Sequence, residues 1–252
     1  MKTGNEALED VLDRKAELDF AAASGESPGA GLRWFGRTAA TRFPALPGHV
    51  PYNKVRGYRA GDRRRLPAML DFYRSLGLAP AVEVRSDDDT PEVRRTLADA
   101  GLAPGESTVL LRARPARSEP ALPVREAAAD DEEYLQVLLE GFGVGDDRAL
   151  LRRMFAVEHS TPGIRRFLAY SDGAPVAAGS LYTGRRASLL AGAATLPALR
   201  NRGFQSALVA ARLTGAAESD GPAIVTAAER SASHANLTRL GFTLAQRRTV
   251  WR

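Results

Sequence analysis

The stretch Thr195-Leu-Pro-Ala-Leu-Arg-Asn-Arg-Gly-Phe-Gln-Ser-Ala-Leu208 carries the residue types of an anion-binding turn. An apolar run that reads as a strand ends at Pro197, a short basic loop follows, and helical spacing begins at or near Gly203. The first backbone N–H groups of a helix lack internal acceptors, and the helix dipole makes that end positive. Successive N–H groups placed there can hold a pyrophosphate. Gly203 admits the close approach because no Cβ intervenes. Arg200 and Arg202 add charge, Ser206 adds a hydroxyl, and Phe204, Leu208 and Ala211 form an apolar face that pins the helix.

Other chemistries are excluded or weakened by composition. The 252 residues contain no cysteine, so disulfides, thiolate metal sites and a cysteine nucleophile are ruled out. His49, His159 and His234 stand far apart without ligand spacing, so no metal is expected. The net charge is +5 and the pI about 9.9, with lysine confined to Lys2, Lys15 and Lys54. The arginines scatter among many acids, which reads as Arg-for-Lys codon bias; nucleic acid is not the expected partner, although the charge leaves that reading open. No apolar run reaches the roughly 20 residues of a membrane helix, and the stretch from Met1 to Phe20 lacks the apolar core of a signal peptide. No membrane association and a cytoplasmic location are expected.

The elements that must position the turn follow from periodicity. Asn5 to Ala22 reads as an amphipathic helix, and Leu32 to Phe43 as one or two short strands. Tyr52–Tyr58 (strand), Arg63–Leu76 (helix), Ala81–Arg85 (strand), Pro91–Ala100 (helix) and Thr108–Arg112 (strand) come next. The proline-rich segment Arg114–Pro123 is the linker candidate. Beyond it the spacing predicts helices at Asp130–Glu140 and Asp147–Val157, then a meander at Arg165–Tyr170, Pro175–Tyr182 and Ser188–Leu196. A helix Gly203–Ala217, a strand Ala223–Ala227, a helix Ser233–Leu240 and a strand Leu244–Trp251 close the chain. Leu97, Gly101 and Leu102 stand 140 residues before Leu237, Gly241 and Phe242, each set closing a helix at a glycine before a terminal strand. The halves therefore read as a degenerate duplication, divided as 1–118 and 119–252.

Arg200-x-x-Gly203-x-Gln205, with Pro197 before it and Leu208 after it, resembles the Gln/Arg-x-x-Gly-x-Gly/Ala coenzyme A loop of the GNAT (GCN5-related) N-acetyltransferases. Ser233-x-x-Asn236-Leu-Thr-Arg-Leu-Gly-Phe242 is similar to the family's next helix, which usually ends in Leu-Gly-Phe. The resemblance spans about Pro123 to Arg252. It implies an α/β (α+β) protein of two GNAT-like units, each a mixed, mostly antiparallel sheet flanked by helices, of the tandem type. It also implies acetyl-CoA as co-substrate and acetyl transfer to an amine of a small molecule or peptide, by direct attack in a ternary complex. The strand near Ala193, Ala194 and Thr195 would bond the pantetheine arm. Arg200, Asn201, Arg202, Gly203, Phe204, Gln205 and Ser206 would hold the pyrophosphate, with Ser233 and Asn236 as further contacts.

The chain departs from the family's pattern in three places. Gln205 stands where a glycine or alanine is usual, Leu237 stands at the position of the tyrosine acid, and no carboxylate lies late in the strand 188–196. Glu229 is the first choice for a base or acceptor contact, followed by Tyr182, then Glu158 and His159, each with a solvated side chain as the plainer reading. The alternative function is a non-catalytic acyl-CoA-binding pseudo-enzyme or scaffold. In the first half the equivalent loop falls near Ala60–Pro67, where Asp62 and Pro67 disfavour phosphates, so that half is expected to complete the sheet, wall the acceptor site or mediate dimerisation. A homodimer is left open.

Overall fold

The computed structural model describes residues 4–128 and 131–252. In chain order its elements are α1 (Gly4–Glu26), β1 (Gly31–Phe35), β2 (Thr38–Arg42), β3 (Lys54–Tyr58), α2 (Leu66–Arg74), β4 (Val82–Arg85), α3 (Pro91–Asp99) and β5 (Pro104–Ala113). There follow β6 (Val124–Ala127), α4 (Glu132–Phe142), α5 (Arg148–Glu158), β7 (Ile164–Ser171), β8 (Ala174–Thr183), β9 (Ser188–Thr195), α6 (Phe204–Ala216), β10 (Ala223–Ala228), α7 (Ala232–Arg239) and β11 (Thr243–Trp251). The architecture is mixed α/β, with helices flanking mixed sheets.

The chain gathers into two compact units. The first comprises the N-terminal segment through Asp19, residues 112–225 and residues 236–243; the second comprises 20–111, 226–235 and 244–252. These two units interleave along the sequence. The reason is strand pairing: β11, last in sequence, pairs antiparallel with β4, Thr249 opposite Val84 and Val250 opposite Glu83.

In the first unit the strands run in the order β10-β9-β8-β7-β6, antiparallel except for β10 beside β9. Tyr134, Val137 and Leu138 of α4 form a core with Leu168, Ala178 and Ala194. Gly179, next along β8, faces Arg212 of α6, so α4 and α6 cover opposite faces of the sheet. The expected helix start at Asp130 lies outside the described residues; α4 opens on Asp131, whose Oδ1 accepts from the N–H groups of Glu133 and Tyr134. The strand β6, four residues ending the irregular segment 114–123, has no periodicity of its own to betray it. Its register with β7, Val124 opposite Ala169, makes it a strand. On α1, the residues at positions 8, 11, 12, 15, 16, 19, 20 and 23 are all buried, a helical stripe that includes Lys15 and Asp19, paired with each other.

In the second unit the order is β1-β2-β3-β4-β11-β5, with β3 and β4 parallel. Helices α2 and α3 lay Met69, Leu70, Tyr73, Val93 and Leu97 on Val55, Tyr58, Val82, Val84 and Trp251. The opposite face carries buried Glu83, which bonds Lys54 at 2.5 Å and stands 3.5 Å from Arg248.

Candidate functional site

The turn predicted from sequence is present. Leu196 still bonds β8 through its N–H to the Val176 carbonyl (2.9 Å), then Pro197–Leu199 make a single 3₁₀ turn. Asn201 (φ 63°) and Gly203 (φ 88°) take left-handed backbone and swing the chain into α6. Gly203 is the N-cap and offers no side chain, so no side-chain cap bond is made. The first bond of α6 runs from the Ala207 N–H to the Gly203 carbonyl (3.0 Å), which leaves the N–H groups of Phe204, Gln205 and Ser206 without helical acceptors. Asn201, Arg202 and Gly203 are exposed.

The strand leading to the turn has one open edge. On one side β9 pairs with β8 from Ser188 to Thr195; on the other its parallel register with β10 covers only Ser188 and Leu189. Within the open stretch Gly192 is an inserted residue, since Ala193 faces Gly179 and Ala191 faces Ser180. A Cβ on Gly192 would meet the His159 ring at 2.6 Å, so only glycine fits there. His159 is buried, with Nδ1 2.9 Å from the Tyr134 hydroxyl. Burial, with Lys15 and Arg166 nearby, drives its pKa down to about 3, so the ring is neutral.

Several predicted residues have partners within the fold. Arg200 donates Nη2 to the Gly141 carbonyl (2.8 Å) at the end of α4 and Nε to the Thr195 carbonyl (3.4 Å). Its guanidinium therefore braces the turn. Gly141 itself lies so close to Ala194 that a Cβ would stand 2.6 Å from the Ala194 methyl. Phe204 and Ala194 put their side chains into the core, and Gln205 and Ser206 are half-buried. Tyr182 is buried opposite Leu189, six residues back from Thr195, hence roughly 20 Å along β9. Glu158 offers its carbonyl to Lys15 Nζ (2.8 Å). Asn236 accepts from Arg239 (3.3 Å), Ser233 is exposed, and Leu237 is buried. The cap of α7 is Ser231, whose Oγ accepts from the His234 N–H (3.1 Å).

In the second unit, Glu229 follows β10 and its N–H bonds the Ser107 carbonyl (2.9 Å). It lines an open cavity of about 430 Å³ with Glu106, Ser107, Thr108, Ala228 and Arg230. Glu229 Oε1 accepts from Arg247 Nε at 2.7 Å, and that bond lowers its pKa, as do the charges of Arg247, Arg230 and His234. A carboxylate so held is a weak base and a good partner for a cation. The segment equivalent to the turn also belongs to this unit: Ala60–Arg65 is a 3₁₀ helix that runs straight into α2. Asp62 is buried there, accepting from Thr38 Oγ1 (2.7 Å) between Arg65 (3.5 Å) and Arg59 (3.6 Å).

Among the described residues there is no group of three or more His, Cys, Asp or Glu able to hold a metal ion, and no helix is long and apolar enough to cross a membrane. No protein-family model matches the chain, and no curated protein matches it by sequence. Solved structures do match along nearly the whole length. A GCN5-related N-acetyltransferase from Kribbella flavida is 17% identical with a TM-score of 0.63, covering 93% of this chain and 94% of that one. A tandem GNAT protein from the clavulanic acid biosynthesis pathway is 15% identical with a TM-score of 0.61, covering 99% and 95%. A functionally unknown conserved protein from Staphylococcus epidermidis is 12% identical with a TM-score of 0.62, covering 87% and 91%. At these identities the likeness is one of fold, and the fold is that of the GNAT acetyltransferases.

Proposed function

We propose that the protein is an acyl-CoA-dependent N-acyltransferase, transferring acetyl from acetyl-CoA to an amine of a small molecule or peptide. The observation that carries this is the conjunction, in one strand–turn–helix, of an unfilled helix N-terminus at Gly203 with a β9 edge left open by β10. N–H groups of residues 203–206 hold the diphosphate, with Arg202 as the mobile countercharge and Arg200 as the brace. The backbone of Ala193, Ala194 and Thr195 bonds the pantetheine arm, and Ser233 and Asn236 are outer contacts.

The chemistry needs little else. The amine nitrogen attacks the thioester carbon, the C–S bond breaks, the thiolate leaves with the electron pair, and the nitrogen's proton passes to water. A thiolate is a good leaving group, and no cysteine is present to form an acyl-enzyme. The protein contributes proximity and a backbone N–H to the developing oxyanion. The peptide at the bulge suits that role: the Ala191 carbonyl accepts from Ser180 Oγ (3.1 Å) on the β8 side. In a trans peptide the N–H of Gly192 therefore points the other way, to the open edge. Glu229 remains the first choice for a base or acceptor contact. Tyr182 stays with the fold.

We read residues 1–118 as a diverged copy that no longer binds the coenzyme, and the protein as cytoplasmic. The second reading, a non-catalytic acyl-CoA binder, is favoured by one feature: Leu237 is buried where the family's tyrosine acid would stand. Calorimetric titration with acetyl-CoA, then thiol release against an amine panel, tests both. Binding with turnover supports the enzyme, binding without turnover supports the second reading, and no binding removes both.

A further inference from the structure

Arg212 is the largest fully buried side chain among the described residues, 2% exposed, and every hydrogen bond it makes in the structure is to a backbone carbonyl. Nε donates to Leu208 (3.0 Å), one turn back in α6; Nη1 is shared between Ser180 and Ala191 (3.4 Å each). A buried arginine ordinarily meets a carboxylate, because an unpaired buried charge is costly. Burial lowers its pKa to about 10, with Tyr134 pulling the other way, so it remains a cation at neutral pH. Residue 179 beside it is glycine: a Cβ there would stand 3.1 Å from Arg212 Cζ, a contact tight enough that the guanidinium would have to shift. Glycine at 179 and arginine at 212 are thus a matched pair beneath the bulge.

The chemical consequence runs through one peptide. A cation on the Ala191 carbonyl draws electron density toward that oxygen. The N–H at the other end of the same peptide belongs to Gly192 and becomes a stronger donor. It points to the open edge of β9. Gly192 is three residues, about 10 Å, before Thr195, the stretch along which a thioester arm anchored at Gly203 would run back. His159 bounds Gly192 on the α4 face while Arg212 bonds the Ala191 carbonyl before it from the α6 face, so the bulge is held from both sides.

We infer that Arg212 is a positioning residue for acyl transfer, fixing the bulge and polarising the Ala191–Gly192 peptide so that the Gly192 N–H stabilises the negative charge that develops on the thioester oxygen. This rests on the coenzyme A reading above.

The test uses the full chain and acetyl-CoA labelled with ¹³C at the carbonyl, and reads the infrared band of that carbonyl bound and free, so no acceptor need be known. In the wild type the band moves to lower frequency on binding. In Arg212→Met most of the displacement disappears while affinity stays within about threefold, since the diphosphate grip is elsewhere. Arg212→Lys restores part of the displacement. Should Arg212→Met fail to fold, Gly179→Ala keeps the charge but crowds the guanidinium off its carbonyls, and is expected to shrink the displacement at near-wild-type affinity. An equal displacement in the wild type and in whichever of these variants folds, or no displacement in a wild type that binds, overturns the role of Arg212 alone. A wild type that does not bind acetyl-CoA removes the functional reading and this inference with it.

Discussion

The segments β9–turn–α6 and β3–turn–α2 are both strand–turn–helix pieces, about 140 residues apart in sequence, and they differ at the head of the helix. Around Gly203 the helix head is bare and exposed, and the strand before it has lost its neighbour after Leu189. Around Asp62 both openings are filled. β3 stays paired with β4 to its last residue, Tyr58 opposite Val84, and the 3₁₀ helix 60–65 delivers chain into α2 without a free first turn. The anion at that helix head is the protein's own: the Asp62 carboxylate, bonded to Thr38 and flanked by Arg59 and Arg65. On the proposed reading of the Gly203 turn, what is left unfilled matters as much as which charges are nearby. The three consecutive arginines, Arg63 to Arg65, stand at a helix head that already holds a carboxylate.

The largest effect should come from writing the first half's solution into the second. Gly203→Asp puts a carboxylate at the head of α6, where aspartate is a good N-cap. Calorimetry should show acetyl-CoA affinity falling by about 100-fold or more. The midpoint of thermal unfolding should move by only a few degrees, because capping offsets the strain of a side chain at φ 88°. Retained affinity would remove the turn from the site.

The reciprocal change sharpens the comparison. Asp62→Ala deletes a buried acceptor and leaves the Thr38 hydroxyl and two arginines without it, so urea unfolding should register a loss of about 1–3 kcal/mol. It should not create a second acetyl-CoA site, because the β3–β4 edge remains closed. A stoichiometry of two in the variant would show that Asp62 alone blocks the first half.

Acid should distinguish the regions. His159 under the β9 bulge has a folded pKa of about 3, below its unfolded value near 6.5. The unfolded chain binds the extra proton, so this contribution is full above pH 6.5 and is lost as pH falls toward 3, by at most about 1.4 kcal/mol per pH unit. Burial pushes the Glu83 pKa up, but Lys54, Arg248 and Arg56 together bring it down to about 2. Its contribution is full above pH 4.5 and is lost only between there and pH 2. Urea unfolding at pH 7.0 and 5.5 should show a drop of about 1 kcal/mol that His159→Gln diminishes and Glu83→Gln leaves in place.

How much of this was legible in the sequence depends on the distance over which each feature is decided. Local features were readable. Gly101 and Gly241, flagged by the 140-residue offset, take φ of 84° and 86°, and the N–H groups of Leu102 and Phe242 bond the carbonyls of Leu97 and Leu237 at 3.0 and 3.1 Å. Pro91 starts α3 as its type predicts, and the structure adds a cap before it, the Thr90 hydroxyl accepting from the Val93 N–H. Features decided across the fold were not readable. The bond from Arg200 to the Gly141 carbonyl joins residues 59 apart in sequence, which no local pattern announces. Arg212 sat on a helix with nothing in its neighbours to mark it, because the glycine beside its guanidinium is on β8. The pairing of β11 with β4 is likewise a choice of partner, and two strands of equal pattern offer the same edge to a periodicity argument.

The smallest effect separates charge from geometry. Arg202 and Arg63 are both exposed, each in a basic turn before a helix. If the bare helix head supplies the grip, Arg202 adds only a screened countercharge. Arg202→Ala should then weaken acetyl-CoA binding about three- to tenfold at low salt, with the difference shrinking as ionic strength rises through about 0.15 M. Arg63→Ala should leave affinity within about twofold at every salt concentration if the diphosphate is held at Gly203 alone. A loss on Arg202→Ala as large as that on Gly203→Asp would mean that arginine charge, rather than the amide hydrogens of the turn, does the binding, and the difference between the two halves would then reduce to which side chains they carry.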